Sequence, residues 1–266
     1  MELLESVFKL KEHKTSFKKE ILAGLATFLT MAYIMVVNPA ILSETGMDFD
    51  SVFVATILAS FVACMIMGIL ANWPVALAPG MGLNAFFTYA VVFGMGFSWQ
   101  QALAAVLCSG VLFLIISISP LRAYLINAIP RSLKFGIGAG IGLFLAIIGL
   151  KNAGIVVDNP ATLVGLGDLK SASVLLALLT FTLMIALDKL KVPGAIVLSI
   201  IATTVIGMIF GVAQYQGIVS SIPSMSPTFM QLDFSSLGSS LFLIVIFTIL
   251  FVDFFDTAGT LTSVAN

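Results

Sequence analysis

The stretch WPVALAPGMGLNAFFTYAVVFGMG, residues 73–96, is odd for a helix. It has the length and apolar character of a membrane span, yet Pro74, Pro79, Gly80 and Gly82 crowd its first half. Proline removes a backbone donor and clashes with the preceding turn. Glycine loosens what remains. The pattern predicts an extended or broken segment to about Gly82, then a short helix through Asn84 to Phe93. Irregular backbone at membrane depth is tolerated only where it is buried in protein or lines a cavity. The half-helix that follows offers free N–H groups and a positive dipole end to a ligand. Transporter folds place substrate sites at such discontinuous helices. The competing reading is a proline-kinked structural helix, because Gly and Pro are commoner in membrane helices than in soluble ones.

The rest of the chain fits that reading. Of 266 residues, 60% are hydrophobic and 9% charged, against about 25% charged in a soluble domain. Hydrophobic length marks eight spans, at roughly 20–37, 51–71, 74–95, 98–119, 129–150, 171–187, 192–212 and 237–260. Runs of this length are helices rather than barrel strands. The charged opening, MELLESVFKLKEHKTSFKKE, is no cleaved signal peptide. It reads as an amphipathic lead-in with Phe8, Leu10 and Phe17 resting on the interface.

Orientation follows from the basic residues. With a cytoplasmic N-terminus and every span crossing, the inner segments hold Lys9, Lys11, Lys14, Lys18, Lys19, Arg122, Arg131, Lys134, Lys189 and Lys191. The outer segments hold only Lys151 and Lys170. Ten against two is a clear positive-inside bias. It supports a full crossing by 74–95, since a segment that dipped and returned would put Arg122, Arg131 and Lys134 outside.

The eighth span, FLIVIFTILFVDFFDTAGTL at 242–261, carries Asp253 and Asp256. Counted from Leu241, Asp253 lies roughly 18 Å along a helix. The hydrocarbon core is about 30 Å thick. The carboxylate therefore falls near mid-membrane, where an ionisable group is costly and marks a functional site by default. Spaced three apart, the two aspartates share one helix face.

Other features read as structure. Gly136, Gly138, Gly140 and Gly142 alternate in the fifth span, and Gly136 to Gly140 is a small-xxx-small packing pattern. They lack the strand and acidic residue of a dinucleotide fingerprint. Pro39 is expected to stop the first helix after Asn38. Cys64 and Cys108 read as small core residues. The single histidine, His13, lies in the charged lead-in, so histidine catalysis has no raw material. A net charge of −1 gives no case for nucleic-acid binding. GLGD at 165–168 matches the GxGD of intramembrane aspartyl proteases. However, it sits in a polar outer connection, and the preceding span has no aspartate in its apolar part to meet Asp168.

Four segments in order resemble the AzgA-like purine permeases of the nucleobase–cation symporter family 2. They are NPAIL after the first span, ALAPGMGLNAFF in the third, PRSLKFGIGAGIGLFLAIIGLKNAGIV in the fifth and FVDFFDTAGTL in the eighth. The resemblance covers the whole chain. It implies an all-α polytopic fold of fourteen spans in two inverted seven-span repeats. On that fold, residues 1–19 are a cytoplasmic N-terminal segment and 20–119 are core-domain spans one to four. Residues 120–236 are gate-domain spans five to seven with loops, and 237–266 are core-domain span eight. The expected activity is proton-coupled uptake of guanine, hypoxanthine or adenine across the cytoplasmic membrane, with no cofactor and no enzymatic step.

By motif position, Gly82 and Asn84 match the broken-helix substrate contact, and Asp253 and Asp256 match the acidic motif. Asn84 offers a donor and an acceptor to a purine edge. A carboxylate accepts from ring N–H groups, and one in apolar surroundings takes up a proton more readily. Which aspartate takes which role is open, with Asp256 preferred and Asp253 supporting; Thr257 is a weaker polar candidate. Phe86 and Phe87 are stacking candidates, with core packing expected for at least one. The expected partners are a purine nucleobase and the bilayer, with a homodimer left open for the full-length protein. Because the sequence stops at Asn266, it is expected to be an N-terminal fragment holding half a site and inactive alone. The competing functions are a uracil, xanthine or anion carrier on the same fold and, more distantly, the aspartyl protease.

Overall fold

A computed structural model describes residues 8–10, 12, 15–120, 131–160, 162–215, 217 and 221–265. The side chains of 131–135, 137, 138, 141, 256 and 258–265 lie outside the described set. His13 and Arg122 also lie outside the described residues.

Within that set the chain is predominantly helical. The helices are α1 (Phe17–Met31), α2 (Ile34–Ser43), α3 (Phe49–Ile69), α4 (Met81–Ala85), α5 (Trp99–Ile118), α6 (Arg131–Asn152), α7 (Ala172–Lys189), α8 (Ala195–Ile209) and α9 (Ser240–Ala265). A π-helix, Phe86–Gly94, continues α4 directly. Among the described residues, four stretches are long and apolar enough to cross a membrane: Phe17–Ser43, Phe49–Ile69, Trp99–Ile118 and Ala172–Lys189. Shorter apolar helical stretches include Met81–Gly94, Ala195–Ile209 and Ser240–Phe255.

The expectation for Pro39 is corrected. The helix runs through it, from Ile34 to Ser43. It breaks upstream instead, at Ala32–Tyr33, where Met35 N–H bonds to Ala32 O at 3.2 Å and Val36 N–H to Tyr33 O at 3.1 Å. A proline cannot hydrogen-bond four residues back and its ring crowds that carbonyl. The conflict is relieved one turn earlier by a tightened turn, as at other proline kinks.

The chain divides into two compact units. One comprises residues 1–36, 57–78 and 146–222. In it α7 packs on α8, and α8 on α1. Its connection after α6, the polar segment that carries GLGD, contains an antiparallel hairpin, β1 (Val156–Asn159) with β2 (Leu163–Leu166), pairing Val156 with Leu166 and Asn159 with Leu163. This hairpin also accounts for the GLGD match. A side chain at Gly167 would meet the Gly154 carbonyl oxygen at 2.0 Å, so only glycine fits. The Asp168 carboxylate accepts the Lys170 backbone N–H at 2.9 Å, a local turn. Phe8, Leu10 and Phe17 line a cleft of about 520 Å³ together with Ile21, Trp73 and Pro74.

The other unit comprises residues 37–56, 79–145 and 223–266. Its core joins Val52, Phe87, Val91, Ala102, Ala105, Phe242, Val245, Ile246 and Ile249. Small alanines on α5 let α9 lie close, and Phe97 meets Phe242 edge-on at 6.0 Å. The heads of α3 and α5 in this unit are capped. Asp48 accepts the Ser51 N–H at 2.8 Å and the Ser51 hydroxyl at 2.6 Å at the head of α3. Those two bonds hold the Asp48 carboxyl below its ordinary value. Ser98 and Gln101 form a reciprocal capping box at the head of α5. The small-xxx-small packing expected on α6 finds no partner among the described residues: a side chain at Gly136, Gly140 or Gly142 would meet nothing within 4 Å.

Candidate functional site

The third apolar segment is broken as its prolines require. Residues 72–80 have no helix, and the helix begins at Met81. Extended backbone in an apolar setting must find other partners. One comes from Cys64, whose Sγ accepts the Leu77 N–H at 3.2 Å and lies 3.3 Å from the Leu77 carbonyl. Cys64 is thus half-buried and specific, rather than the simple core filler its neighbours suggested. Gly80 is extended (φ −74°, ψ 114°), and no side chain caps the helix that follows.

Asn84 sits in the first turn of that helix, half-buried, its N–H bonded to the Gly80 carbonyl at 3.2 Å. Its side-chain amide donates to Asn38 Oδ1. Asn38 Nδ2 donates to Thr56 Oγ1 at 2.6 Å. Thr56 Oγ1 donates to the Val52 carbonyl at 2.7 Å. Asn38 and Thr56 are 4% and 3% exposed, so this relay is dry. One turn on, buried Thr88 donates to the Ile41 carbonyl at 3.2 Å, tying the π-helix to α2. Phe87 is buried in the core and Phe86 packs against it, so neither ring is a free stacking platform.

Helix α9 packs against α5 and also against α4, which carries Gly82 and Asn84. Its buried stripe is Phe242, Val245, Ile246, Ile249, Leu250 and Phe254, at helical spacing. Asp253 continues the stripe, four residues after Ile249 and three after Leu250, and is half-buried; Thr257 follows one turn later, also half-buried. Asp256 lies in α9 by its backbone, but its side chain is outside the described residues. The fold therefore brings Gly82 and Asn84 to the helix that bears the acidic motif. Among the described residues, no group of three His, Cys, Asp or Glu is placed to hold a metal ion.

Asn38, Thr56 and Thr88 were not expected at the site. Asn38 carries a signal of its own, as a polar residue inside an apolar span, but the Pro39 beside it favours a helix end at the same place.

Residues 18–266 match the model of a family described as Permease family. Adenine permease AdeP of Escherichia coli is 45% identical over 264 residues, which are 99% of this chain and 59% of that protein. Guanine/hypoxanthine permease PbuG of Bacillus subtilis is 46% identical over 275 residues, 99% of this chain and 62% of that protein. Guanine/hypoxanthine permease PbuO of the same organism is 45% identical, covering 98% of this chain and 62% of its own length. The chain thus spans about three-fifths of the length of the curated relatives it matches. These relatives are transporters rather than enzymes, and they bear out the resemblance to purine permeases drawn from the motifs. With its apolar helices, the chain is an integral membrane protein and belongs to the Permease family.

Proposed function

We propose that the full-length protein takes up purine nucleobases across the cytoplasmic membrane in company with protons, its N-terminus cytoplasmic. The observation that carries the reading is the meeting of the broken helix bearing Asn84 with the acidic helix α9. A discontinuous helix that meets a helix bearing an acidic motif suits a small polar, planar solute held between protein elements. The names of AdeP, PbuG and PbuO support a purine over uracil or an anion. In this reading Gly82 lets the backbone approach the base, Asn84 binds its edge, and Asp256 takes a ring N–H or the coupling proton. Asp253 and Thr257 support it. Spans one to four and eight form the core domain and spans five to seven the gate, within fourteen spans of inverted symmetry. The packing of α9 onto α5 and α4 supports that grouping of span eight with spans three and four.

The test is uptake of radiolabelled purine by cells without purine carriers of their own, expressing the full-length protein, with adenine, guanine, hypoxanthine and uracil as competitors. Purine uptake that a protonophore abolishes and uracil does not compete is the expected result. Uptake of no purine by a protein shown to be inserted overturns the proposal.

A further inference from the structure

The relay behind Asn84 has a direction, and its far end sets it. The carbonyl of Val52 can only accept. Thr56 Oγ1 lies 2.7 Å from it, a separation at which two oxygens repel unless a proton lies between them. The Thr56 hydroxyl hydrogen therefore points at Val52, and Oγ1 faces Asn38 as an acceptor. Asn38 meets it at 2.6 Å and must present its NH2 there. That turns the Asn38 carbonyl oxygen to Asn84, which must answer with its own NH2. An amide has nearly the same shape in both orientations, so only its partners decide which way it faces. At each step here the reverse orientation sets donor against donor or acceptor against acceptor. With Asn38 and Thr56 both buried, no water is at hand to repair a flip.

We infer that Asn38 and Thr56 are positioning residues that lock the Asn84 amide with its Oδ1 turned away from the relay, so that this side of the site reads an N–H of the ligand. Nothing among the described residues donates to that oxygen, and Asn84 is half-exposed. The inference rests on the purine reading above and adds a polarity to it. If the acidic motif of α9 faces the same ligand, as the proposed function has it, a fixed carbonyl oxygen adds a further acceptor to this half of the site. A purine answers such a surface with its ring or exocyclic N–H groups. A site committed to a donor rejects the analogue that lacks it, because the acceptor is left unpaired.

The test compares the full-length wild type with Thr56→Val, Thr56→Ser and Asn38→Leu, each normalised to the amount inserted. The readouts are KM and maximal rate for tritiated hypoxanthine or adenine, whichever is carried, and Ki for the ring-N-methyl derivatives of that base. In the wild type, methylation at one ring nitrogen is expected to weaken binding at least tenfold. Thr56→Val removes the anchor without changing shape and frees the amide. KM rises roughly tenfold, a typical loss for one buried hydrogen bond. The methylation penalty shrinks by a similar factor, while the maximal rate changes little. Thr56→Ser restores both, and Asn38→Leu repeats the loss should Thr56→Val fail to insert. A purely structural role lowers the inserted amount or the maximal rate and leaves the penalty intact; that result overturns the inference, as does a wild type with no methylation penalty at any ring nitrogen. Absence of all purine uptake by inserted wild type overturns the proposed function itself, and this inference with it.

Discussion

Asn84 earns its place through its neighbours. Its half-exposed amide is backed by two dry polar side chains, and Thr88 fastens the same helix to α2. Thr88→Val leaves the Ile41 carbonyl without that donor and is expected to cost about 1–3 kcal/mol of stability, read from thermal unfolding of the purified protein. Asp48 gives a pH signature. Its carboxyl is held below the ordinary 3.8 by Ser51. A carboxyl depressed by folding lends stability that is fully present above its unfolded value and is lost as pH falls through the folded one. Asp48→Ala is therefore expected to lower the melting temperature at neutral pH, with the gap to wild type closing below about pH 3.8. A gap unchanged down to pH 3 contradicts the assigned bonds. Residue roles were unevenly legible. Gly82 and Asn84 stood out because their motif breaks an apolar run. Asn38 and Thr56 did not, because a hydrogen bond between residues 18 and 46 apart in sequence leaves no local pattern.

At the scale of elements, hydrophobic length placed the long helices within a few residues, since a span must be apolar over a fixed thickness. The proline-rich start of the third segment also behaved as its chemistry requires, extended to Gly80 and helical from Met81. Two things escaped. Pro39 was read by its local effect, whereas the helix passes through it and the tightening falls at Ala32–Tyr33. The hairpin after α6 was missed because four-residue strands carry little signal. The pairing of α9 with α5 and α4 is the element contact on which the site depends. Phe242, 1% exposed and edge-on to Phe97, is its anchor. Phe242→Ala is expected to cost about 3–5 kcal/mol and to lower uptake together with the inserted amount. Unchanged thermal stability contradicts this packing role.

The whole molecule combines a membrane-embedded chain, membership of the Permease family and a polar network at a broken helix. Proton coupling is proposed to need an ionisable group at that site. Asp256→Asn is expected to uncouple uptake from the proton gradient, so that a protonophore no longer affects what transport remains. Full protonophore-sensitive uptake by that variant removes Asp256 from the proton role and leaves Asp253 to test in the same way. Whole-molecule organisation was the least legible level, since span pairing depends on contacts between distant segments and not on the composition of any one of them.

Radiolabelled purine uptake by the full-length protein, in cells without purine carriers, tests whether Asn84 and α9 form a purine site. Wild type is compared with Asn84→Ala at equal inserted amounts. Saturable uptake by wild type is expected, with a loss of at least tenfold in uptake efficiency for Asn84→Ala, on the scale of a lost buried hydrogen bond or more. Purine uptake undiminished in Asn84→Ala would contradict it.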